Sequence, residues 1–332
     1  MTSENVNKFT DAHMEMFARD GYVVIEDYLD ADKITAMRAR IGALLDQFDP
    51  QSHHLTTFET GTNEDRHVGN RYYLDSGVEI SYFLDEDAVV DGKLVTSPQK
   101  AVNKIGHGLH MKDELFASVT HDEEIRRIVQ KMGYEDPRVL QSMAIFKQPK
   151  IGGAVPWHQD STFLFTKPLS AFGFWYALED CTLTNGCLEA VPGSHRYTPV
   201  TRRFVIANAD DEYNTKSNPD ASVNSVDGQA ATKGSLGTKM VDIDPVFSLF
   251  PPNRDGGEAK AIAAPETPTE SAPLEVKAGS LVLLHGQLLH RSSHNYSDKS
   301  RWIYTFHVIE GAYEYDEHNW LQMPEGVELT KL

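Results

Sequence analysis

The sequence is short of cysteine, of positive charge and of long apolar runs. Only two of the 332 residues are cysteine, and no Cys-x-x-Cys or zinc-finger spacing occurs. The first residues contain no apolar stretch typical of a secretory signal, and no apolar run approaches the ~20 residues of a membrane span. Lys and Arg number 31 against 49 Asp and Glu, a net charge of -18. This balance disfavours nucleic acid and anionic membranes as partners. A small anionic ligand stays compatible, because a few buried cations can override the global field.

The two cysteines, Cys181 and Cys187, flank an Asn-Gly pair. Asn185-Gly186 is typical of a two-residue hairpin turn. In that register Cys187 faces Thr184 instead of Cys181, so we expect two free thiols and no disulfide.

Free thiols fit a reducing compartment, and we therefore favour a cytoplasmic location. The last three residues, Thr-Lys-Leu at 330–332, are one substitution away from the peroxisomal Ser-Lys-Leu signal. The peroxisome is the alternative location. The sequence does not specify an oligomeric state, and a monomer is compatible with it.

Residues 1–133 are predicted to be rich in helices, with isolated strands, and to pack on a β core. Thr10 caps a short helix that stops at Gly21, and a strand follows at 22–25. A second helix begins after Asp30 and ends by Pro50. Its apolar residues recur at helical spacing: Ile34, Met37, Ile41, Leu44, Leu45 and Phe48.

A third helix is predicted at the end of this region. The segment Thr120 to Glu123 resembles a capping box, which would start a helix closed by Gly133.

After Pro137 the pattern becomes that of a β protein. The predicted strands are 139–146, 172–178, 187–191, 281–284 and 302–308. Short strands separated by Gly, Pro and Asn turns favour a sandwich or barrel, and they do not alternate with helices as a parallel sheet requires. We expect one domain over 1–332.

Residues 208–272 differ from the rest of the β region. They are rich in Asp, Asn, Ser, Gly, Pro and Ala. This composition predicts a surface insertion, partly flexible, on the β core. It could serve as a lid over a substrate, or it could be a loop without a function of its own.

His158-Gln159-Asp160 is a candidate half of a metal site. On an extended segment, residues two apart point to the same face, so the imidazole and the carboxylate can meet one ion. A third ligand would come from another strand. The available histidines are His285, His290, His294 and His307. Two His and one carboxylate on one face suit iron(II) in oxygenases, because the remaining positions stay open.

Arg301 is the candidate partner for an anionic co-substrate. It begins an alternating run, and its planar guanidinium suits a carboxylate through two hydrogen bonds. The other interpretation is a surface ion pair of little energetic value.

Several segments together resemble the phytanoyl-CoA dioxygenase family. They are residues 158–163, residues 179–195 and residues 279–301, with 21–27 as the opening strand and 103–107 shared with a closer subgroup. The resemblance covers nearly the whole chain except 208–272. It implies a mainly β fold with flanking helices and a double-stranded β-helix core of the jelly-roll or cupin type.

The resemblance implies which histidine completes the metal site. The family places this ligand eleven residues after a strand-initiating Gly and eleven before its Arg, and Gly279, His290 and Arg301 match both spacings. The implied iron ligands, which are also the catalytic residues, are His158, Asp160 and His290. His285, His294 and His307 then take structural or supporting roles. A zinc site at His195 is not needed, because the ligand set is complete without it.

The implied cofactors are Fe(II), 2-oxoglutarate as co-substrate and O2, with ascorbate as a supporting reductant. The distal carboxylate of 2-oxoglutarate would bind Arg301 and Ser292. Further co-substrate contacts implied by the resemblance are Lys104, Met143, Gln159 and Trp175. Each of three has an ordinary alternative: a surface salt bridge for Lys104, and core packing for Met143 and Trp175.

The predicted function is hydroxylation of an aliphatic C–H of a small molecule or acyl-CoA-like substrate, with release of succinate and carbon dioxide. Because related halogenases replace the carboxylate by a small residue, Asp160 favours hydroxylation. A CoA thioester would require cations for its phosphates, and no clear basic cluster is present. The alternatives are a zinc-dependent cupin-type hydrolase and a non-catalytic 2-oxoglutarate-binding sensor.

Overall fold

The computed structural model describes residues 8–53, 55, 57, 71–208, 236–248, 262–265 and 269–332. In these ranges the helices are α1 (Asp11–Asp20), α2 (Ala31–Leu45), α3 (Arg71–Asp75), α4 (Pro98–Ala101), α5 (Leu109–Lys112), α6 (Glu114–Thr120) and α7 (Glu123–Lys131). Among the residues described, no helix combines the length and apolarity that crossing a bilayer requires.

The strands of the first half of the chain are β1 (Tyr22–Ile25), β2 (Ile80–Leu84), β3 (Val89–Val90), β4 (Lys93–Leu94), β5 (Val102–His107), β6 (Pro137–Lys147), β7 (Val155–His158), β8 (Thr166–Lys167) and β9 (Phe172–Ala177). Those of the second half are β10 (Leu188–Ala190), β11 (Val200–Asn208), β12 (Leu236–Val246), β13 (Ala272–Leu274), β14 (Leu281–His285), β15 (His290–Ser292), β16 (Arg301–Glu310), β17 (Glu314–Tyr315) and β18 (Thr330–Lys331).

Two antiparallel sheets form the β core. Among the described strands, the larger sheet has eight members in the order β1-β14-β9-β16-β6-β5-β2, with β18 paired to β6. The smaller has four, in the order β13-β10-β15-β7. All the core strands predicted from the sequence belong to one of these sheets. The prediction of a mainly β fold with flanking helices is confirmed.

Strand β16 shows how the core is built. Trp302, Tyr304 and Phe306 belong to or pack against the cluster that the larger sheet shares with the helices. Ile303 belongs to a second cluster, which includes residues of β10 and β13 in the smaller sheet. Because side chains alternate along a strand, Arg301 shares the inner face with Ile303. Both faces are buried, which explains the nearly continuous apolar sequence of this strand.

The N-terminal helices agree with the sequence pattern in part. The Thr10 side chain accepts a hydrogen bond from the His13 amide at the start of α1, and Gly21 ends that helix with φ 80. In α2 the residues at helical spacing from Met37 to Leu45 are buried and Ile34 is partly buried, but the helix ends at Leu45, before Pro50. A tighter turn follows, in which the Phe48 amide donates to the Leu45 carbonyl at 3.2 Å.

The strands of residues 1–133 are not isolated, so that prediction is wrong. β1 pairs with β14, and β2 and β5 extend the larger sheet beyond β6. The partner of β1 lies far along the chain, in the second half, so local periodicity carries little signal for its pairing.

The predicted capping box at Thr120 is also wrong. Thr120 is the last residue of α6, and its hydroxyl lies 2.7 Å from the Tyr304 hydroxyl. Asp122 is the N-cap of α7, where its side chain accepts from the Glu124 amide. A buried threonine that bonds across to the sheet is therefore unavailable as a cap.

The turn between the cysteines is wider than predicted. The Cys187 amide donates to the Thr182 carbonyl at 3.0 Å, and Cys181 bridges to Val276, so no two-residue hairpin forms. Gly186 has φ 83 and lies so close to the Ser293 carbonyl that a Cβ would be 2.5 Å from it. Both cysteines are buried free thiols, as expected.

The predicted insertion at 208–272 contains regular structure. β12 pairs with β11 along its length, and Met240 of β12 lines the cavity that also reaches the candidate metal ligands. This part is therefore not a surface loop. The prediction for 209–235, 249–261 and 266–268 lies outside the described residues.

Candidate active site

Two neighbouring strands of the smaller sheet bring the predicted ligands together. His158 ends β7 and His290 begins β15, and the two residues are directly paired in register. Their ring centroids are 4.2 Å apart. Asp160 follows β7 at the start of a short 3-10 turn, Asp160–Thr162. Residues 132 positions apart in the sequence are thus placed side by side by strand pairing.

The donor atoms of these three residues converge. One oxygen of Asp160, Oδ1, lies 3.5 Å from His158 Nε2 and 3.8 Å from His290 Nε2. One ligand atom of each residue lies within 4.8 Å of the others. This spacing can accommodate one ion, and two imidazoles plus one carboxylate suit iron(II).

Backbone carbonyls set the orientation of both imidazoles. His158 Nδ1 donates to the Pro156 carbonyl at 2.9 Å, and His290 Nδ1 donates to the Leu288 carbonyl at 3.0 Å. The Nε2 lone pairs are then free to face the shared point, as a metal site requires.

The three groups differ in their affinity for a proton. Burial acts to lower the pKa of His158, but the hydrogen bond and charge of Asp160 make the net shift upward. Burial and the charge of His158 lower the pKa of His290 to about 4. Burial acts to raise the pKa of Asp160, but His290 and His307 hold it well below its usual value. Asp160 is therefore an anion surrounded by imidazoles.

The structure separates the four histidines that the sequence left open. Only His290, among the four, joins the group of possible metal ligands in the described part of the chain. His285 is on the outer face of β14, with its ring 4.8 Å from that of His195. His294 lies 3.1 Å from the Lys150 carbonyl. His307 contacts the second oxygen of Asp160, Oδ2, at 3.3 Å.

Arg301 is a buried cation at another part of the same cavity. It is 2% exposed, and its guanidinium lies 5.7 Å from the centre of the Trp175 ring. Its Nε has no hydrogen-bond partner among the described residues. Burial lowers its pKa. The interpretation of Arg301 as a surface ion pair is wrong, because the side chain is buried. The charge of Glu179 acts on the guanidinium, but Nε stays without a hydrogen-bond partner among the described residues.

Sequence reasoning missed a buried lysine beside Arg301, whose pKa burial lowers well below its usual value. Lys147 is its register partner on β6, and its ammonium donates to the Gly153 carbonyl. Asp85 is nearby, and burial raises its pKa to about 6. The signal was the alternation along β6, where every second residue from Gln141 to Lys147 faces the cavity.

The structure places the remaining predicted co-substrate residues at different positions. Met143 and Lys104 line the cavity and are buried, so a surface salt bridge for Lys104 is wrong. Burial lowers the pKa of Lys104 strongly, and its ammonium lies 5.1 Å from the Phe83 ring. Ser292 lies two residues after His290 on β15 and is buried. Roles for these three residues in binding 2-oxoglutarate stay predictions.

Trp175 and Gln159 have other neighbours. Trp175 belongs to the cluster between the sheets and packs against Arg301. The Gln159 amide donates to the carbonyls of Thr198 and Gln287, at 3.1 and 2.7 Å. A direct co-substrate contact stays a prediction for both.

A cavity of about 500 Å³ joins these groups. It reaches His158, Asp160, Lys104 and Arg301. Its other walls are mainly aromatic and apolar, and they include Tyr73, Trp157, Phe163, Leu164, Phe204, Met240 and Trp320. This volume is that of a typical small-molecule site.

The aromatic walls are held by their own contacts. The rings of Tyr73 and Trp320 are stacked at 4.5 Å. Trp157 is 39% exposed, and the Arg291 guanidinium lies 4.6 Å from its ring, held in turn by Glu189 at 2.8 Å. We interpret this tryptophan as part of the cavity mouth.

Comparison with known proteins supports the family resemblance. A family model described as phytanoyl-CoA dioxygenase matches residues 17–303. A Bos taurus protein named phytanoyl-CoA dioxygenase domain-containing protein 1 is 38% identical over 320 residues, covering 94% of each chain.

Solved structures share the fold at lower identity. SnoN, an epimerase in complex with Fe3+, alpha ketoglutarate (2-oxoglutarate) and nogalamycin RO, matches with a TM-score of 0.55 at 14% identity, covering 97% of this chain and 92% of its own. EctD from S. alaskensis with bound Fe matches with a TM-score of 0.52 at 17% identity, covering 97% and 84%. The predicted double-stranded β-helix core is confirmed by these neighbours.

Proposed function

The chain belongs to the phytanoyl-CoA dioxygenase family, and from that membership we propose that it hydroxylates an aliphatic C–H bond of an apolar small molecule or acyl-CoA-like substrate. The enzyme class, a 2-oxoglutarate-dependent non-haem iron oxygenase, follows from the family. The reaction would consume 2-oxoglutarate and O2 and release succinate and carbon dioxide. One observation carries the proposal: two members of a two-histidine, one-carboxylate cluster, His158 and Asp160, line the same cavity as a buried arginine, Arg301.

The cluster fits Fe(II). His158, Asp160 and His290 would hold the ion through Nε2, Oδ1 and Nε2, since these atoms converge and both Nδ1 atoms are already bonded. Bound iron supplies the oxidation of 2-oxoglutarate by O2 and of the substrate C–H bond. The protein contributes a carboxylate that is ionised at neutral pH and imidazoles of fixed orientation.

Arg301 fits the distal carboxylate of 2-oxoglutarate. A carboxylate in this position would supply the hydrogen-bond acceptor that Nε of the buried guanidinium lacks among the described residues. Ser292 is buried on β15, two residues from His290, and would donate a further hydrogen bond. Trp175 would orient the guanidinium through its ring, which lies 5.7 Å away.

The remaining walls of the cavity favour an apolar substrate. Aromatic rings and aliphatic side chains surround the space beyond the metal cluster, and they would exclude water from a reacting C–H bond. We propose a small-molecule partner and no nucleic-acid partner, in line with the net charge of -18.

Succinate formation tests the proposal. Metal-free protein would be reconstituted with Fe(II) or with Zn(II), and 2-oxoglutarate consumption and succinate release would be measured in air. We expect succinate and carbon dioxide in equal amounts with Fe(II), even without a substrate at a slow rate, and none with Zn(II). Hydrolysis with zinc and no succinate with iron would indicate the cupin-type hydrolase. Binding of 2-oxoglutarate with no turnover, across a panel of apolar acids and thioesters, would indicate a sensor.

A further inference from the structure

The two oxygens of Asp160 have different neighbours. Oδ1 is the atom near His158 and His290, at 3.5 and 3.8 Å from their Nε2 atoms. Oδ2 lies 3.3 Å from Nε2 of His307, which is outside the group of possible metal ligands. The carboxylate is therefore held asymmetrically, with one oxygen toward the cluster and one toward His307.

The hydrogen bonds determine which nitrogen of His307 carries a hydrogen. Carboxylate oxygens accept, so Nε2 of His307 is placed to donate to Oδ2 of Asp160 at 3.3 Å. In that tautomer Nδ1 accepts, and the amide nitrogen of Gln141 lies 3.3 Å from it. The relay runs from the Gln141 amide through the His307 ring to Asp160 Oδ2.

The sheet places both members of this relay. Gln141 on β6 and His307 on β16 are register partners, and each is 6% exposed. The oxygen of the Gln141 amide, Oε1, has no hydrogen-bond partner among the described residues. Rotating the Gln141 amide by half a turn would not give this oxygen a donor, because it would then face Nδ1 of His307, which is itself an acceptor in this tautomer. The protein tolerates a buried unpaired oxygen to keep the amide nitrogen on His307.

We propose that Gln141 and His307 are positioning residues that restrict Asp160 to one-oxygen ligation of the metal. This inference rests on the proposed function. If Oδ2 is held by His307, only Oδ1 can bind the ion. Three adjacent coordination positions then stay open, two for 2-oxoglutarate and one for O2. A carboxylate free to bind through both oxygens would occupy one of them.

Metal binding by His307 and Gln141 variants tests the proposal. His307→Phe keeps a ring but removes the donor, and His307→Gln restores an amide donor near the position of Nε2. Gln141→Met removes only the outer hydrogen bond. Mn(II) affinity of the metal-free proteins would be measured by calorimetry, and the charge-transfer band of the Fe(II)–2-oxoglutarate complex would be recorded without oxygen.

We expect His307→Phe to change the band, because a second Asp160 oxygen would take a position that 2-oxoglutarate needs, and to shift Mn(II) affinity by ~10–100-fold. His307→Gln should stay within about threefold of the parent, and Gln141→Met should lie between them. Thermal unfolding of each metal-free variant separates this effect from a loss of fold. Parent-like affinity and band in His307→Phe would overturn the proposal, as would equal shifts in His307→Gln and His307→Phe. If His307→Phe does not fold, Gln141→Met decides: an unchanged affinity and band would overturn it.

Asp160→Ala distinguishes this proposal from the proposed function. If Asp160→Ala binds Mn(II) like the parent, the metal site itself is wrongly assigned. If Asp160→Ala loses binding while the His307 and Gln141 variants keep it, the metal site stands and the positioning role is wrong.

Discussion

Asp160 and Arg301 are buried charged residues that line one cavity, and they differ in how many protein partners stabilise their charge. Asp160 lies among three imidazoles, with a hydrogen bond from His307 and Nε2 atoms of His158 and His290 beside its other oxygen. Arg301 has an aromatic ring and a buried lysine as neighbours, and its Nε lacks a partner in the described part of the chain. The anion is stabilised by the protein before any ligand arrives. The charge of Arg301 can instead be neutralised by a ligand, so this residue can recognise an acid.

The largest effect is expected at the anion. Asp160→Ala should reduce succinate formation by at least about 1,000-fold, because the metal loses its only charged protein ligand. Turnover of 2-oxoglutarate by the purified protein measures this. Asp298→Ala is the control, since Asp298 is 92% exposed in a surface pair with Lys150. Retained turnover in Asp160→Ala would contradict the assignment of the metal site.

The next effect concerns Asp85, the acid near the buried Lys147. Burial raises the pKa of Asp85 to about 6 from 3.8, so its ionised form destabilises the fold. The stability that its neutral form provides is present below pH 3.8 and is lost as pH rises through about 6. Relative to Asp85→Asn, the free energy of unfolding of the parent should fall by about 3 kcal/mol across this range. Urea unfolding at several pH values measures it, and parallel pH profiles would show that Asp85 is not the titrating group.

A smaller effect is expected at Arg301. Arg301→Met should raise KM for 2-oxoglutarate by ~100-fold, because a two-point charged hydrogen bond is lost. Metal affinity should not change. Thermal stability should stay equal or increase, since a buried charge whose Nε has no partner among the described residues is removed. Arg138→Met is the matched control on the same sheet, because Arg138 is already paired with Asp136 at 2.9 Å. An unchanged KM would show that the acid binds elsewhere.

The smallest effect is the dependence of metal binding on pH. The pKa of His158 is raised, so the metal must displace a proton from its imidazole at low pH. Asp160 is already ionised, and His290, with a pKa of about 4, is neutral near pH 6. Below the pKa of His158, Mn(II) affinity should fall by about tenfold per pH unit, which corresponds to one displaced proton. Calorimetry in buffers of different ionisation enthalpy counts the protons. A release of two protons would show that His290 also binds one.

Much of this architecture was predictable from local sequence. The strands 139–146, 172–178, 281–284 and 302–308 are apolar on both faces and were assigned close to their observed bounds. The short strands β2, β5 and β15 were not assigned. β5 and β15 contain polar or small residues, and β15 is stabilised by partners from distant parts of the chain, β10 and β7. The N-cap of α7 is Asp122 and not the predicted Thr120, because the Thr120 hydroxyl bonds to Tyr304 in the sheet.

The chemical types at the site can be read from the sequence: a His-x-Asp pair on an extended segment, a further histidine and an arginine ahead of an alternating strand. The sequence also contained spacings typical of a family, which indicated His290. Three further features required the folded structure: His307 contacts the second oxygen of Asp160, Lys147 lies beside Arg301, and β12 contributes to the cavity wall. These contacts join strands far apart in the chain. The geometry of these contacts depends on which strands pair and in which register, and no local sequence pattern specifies either.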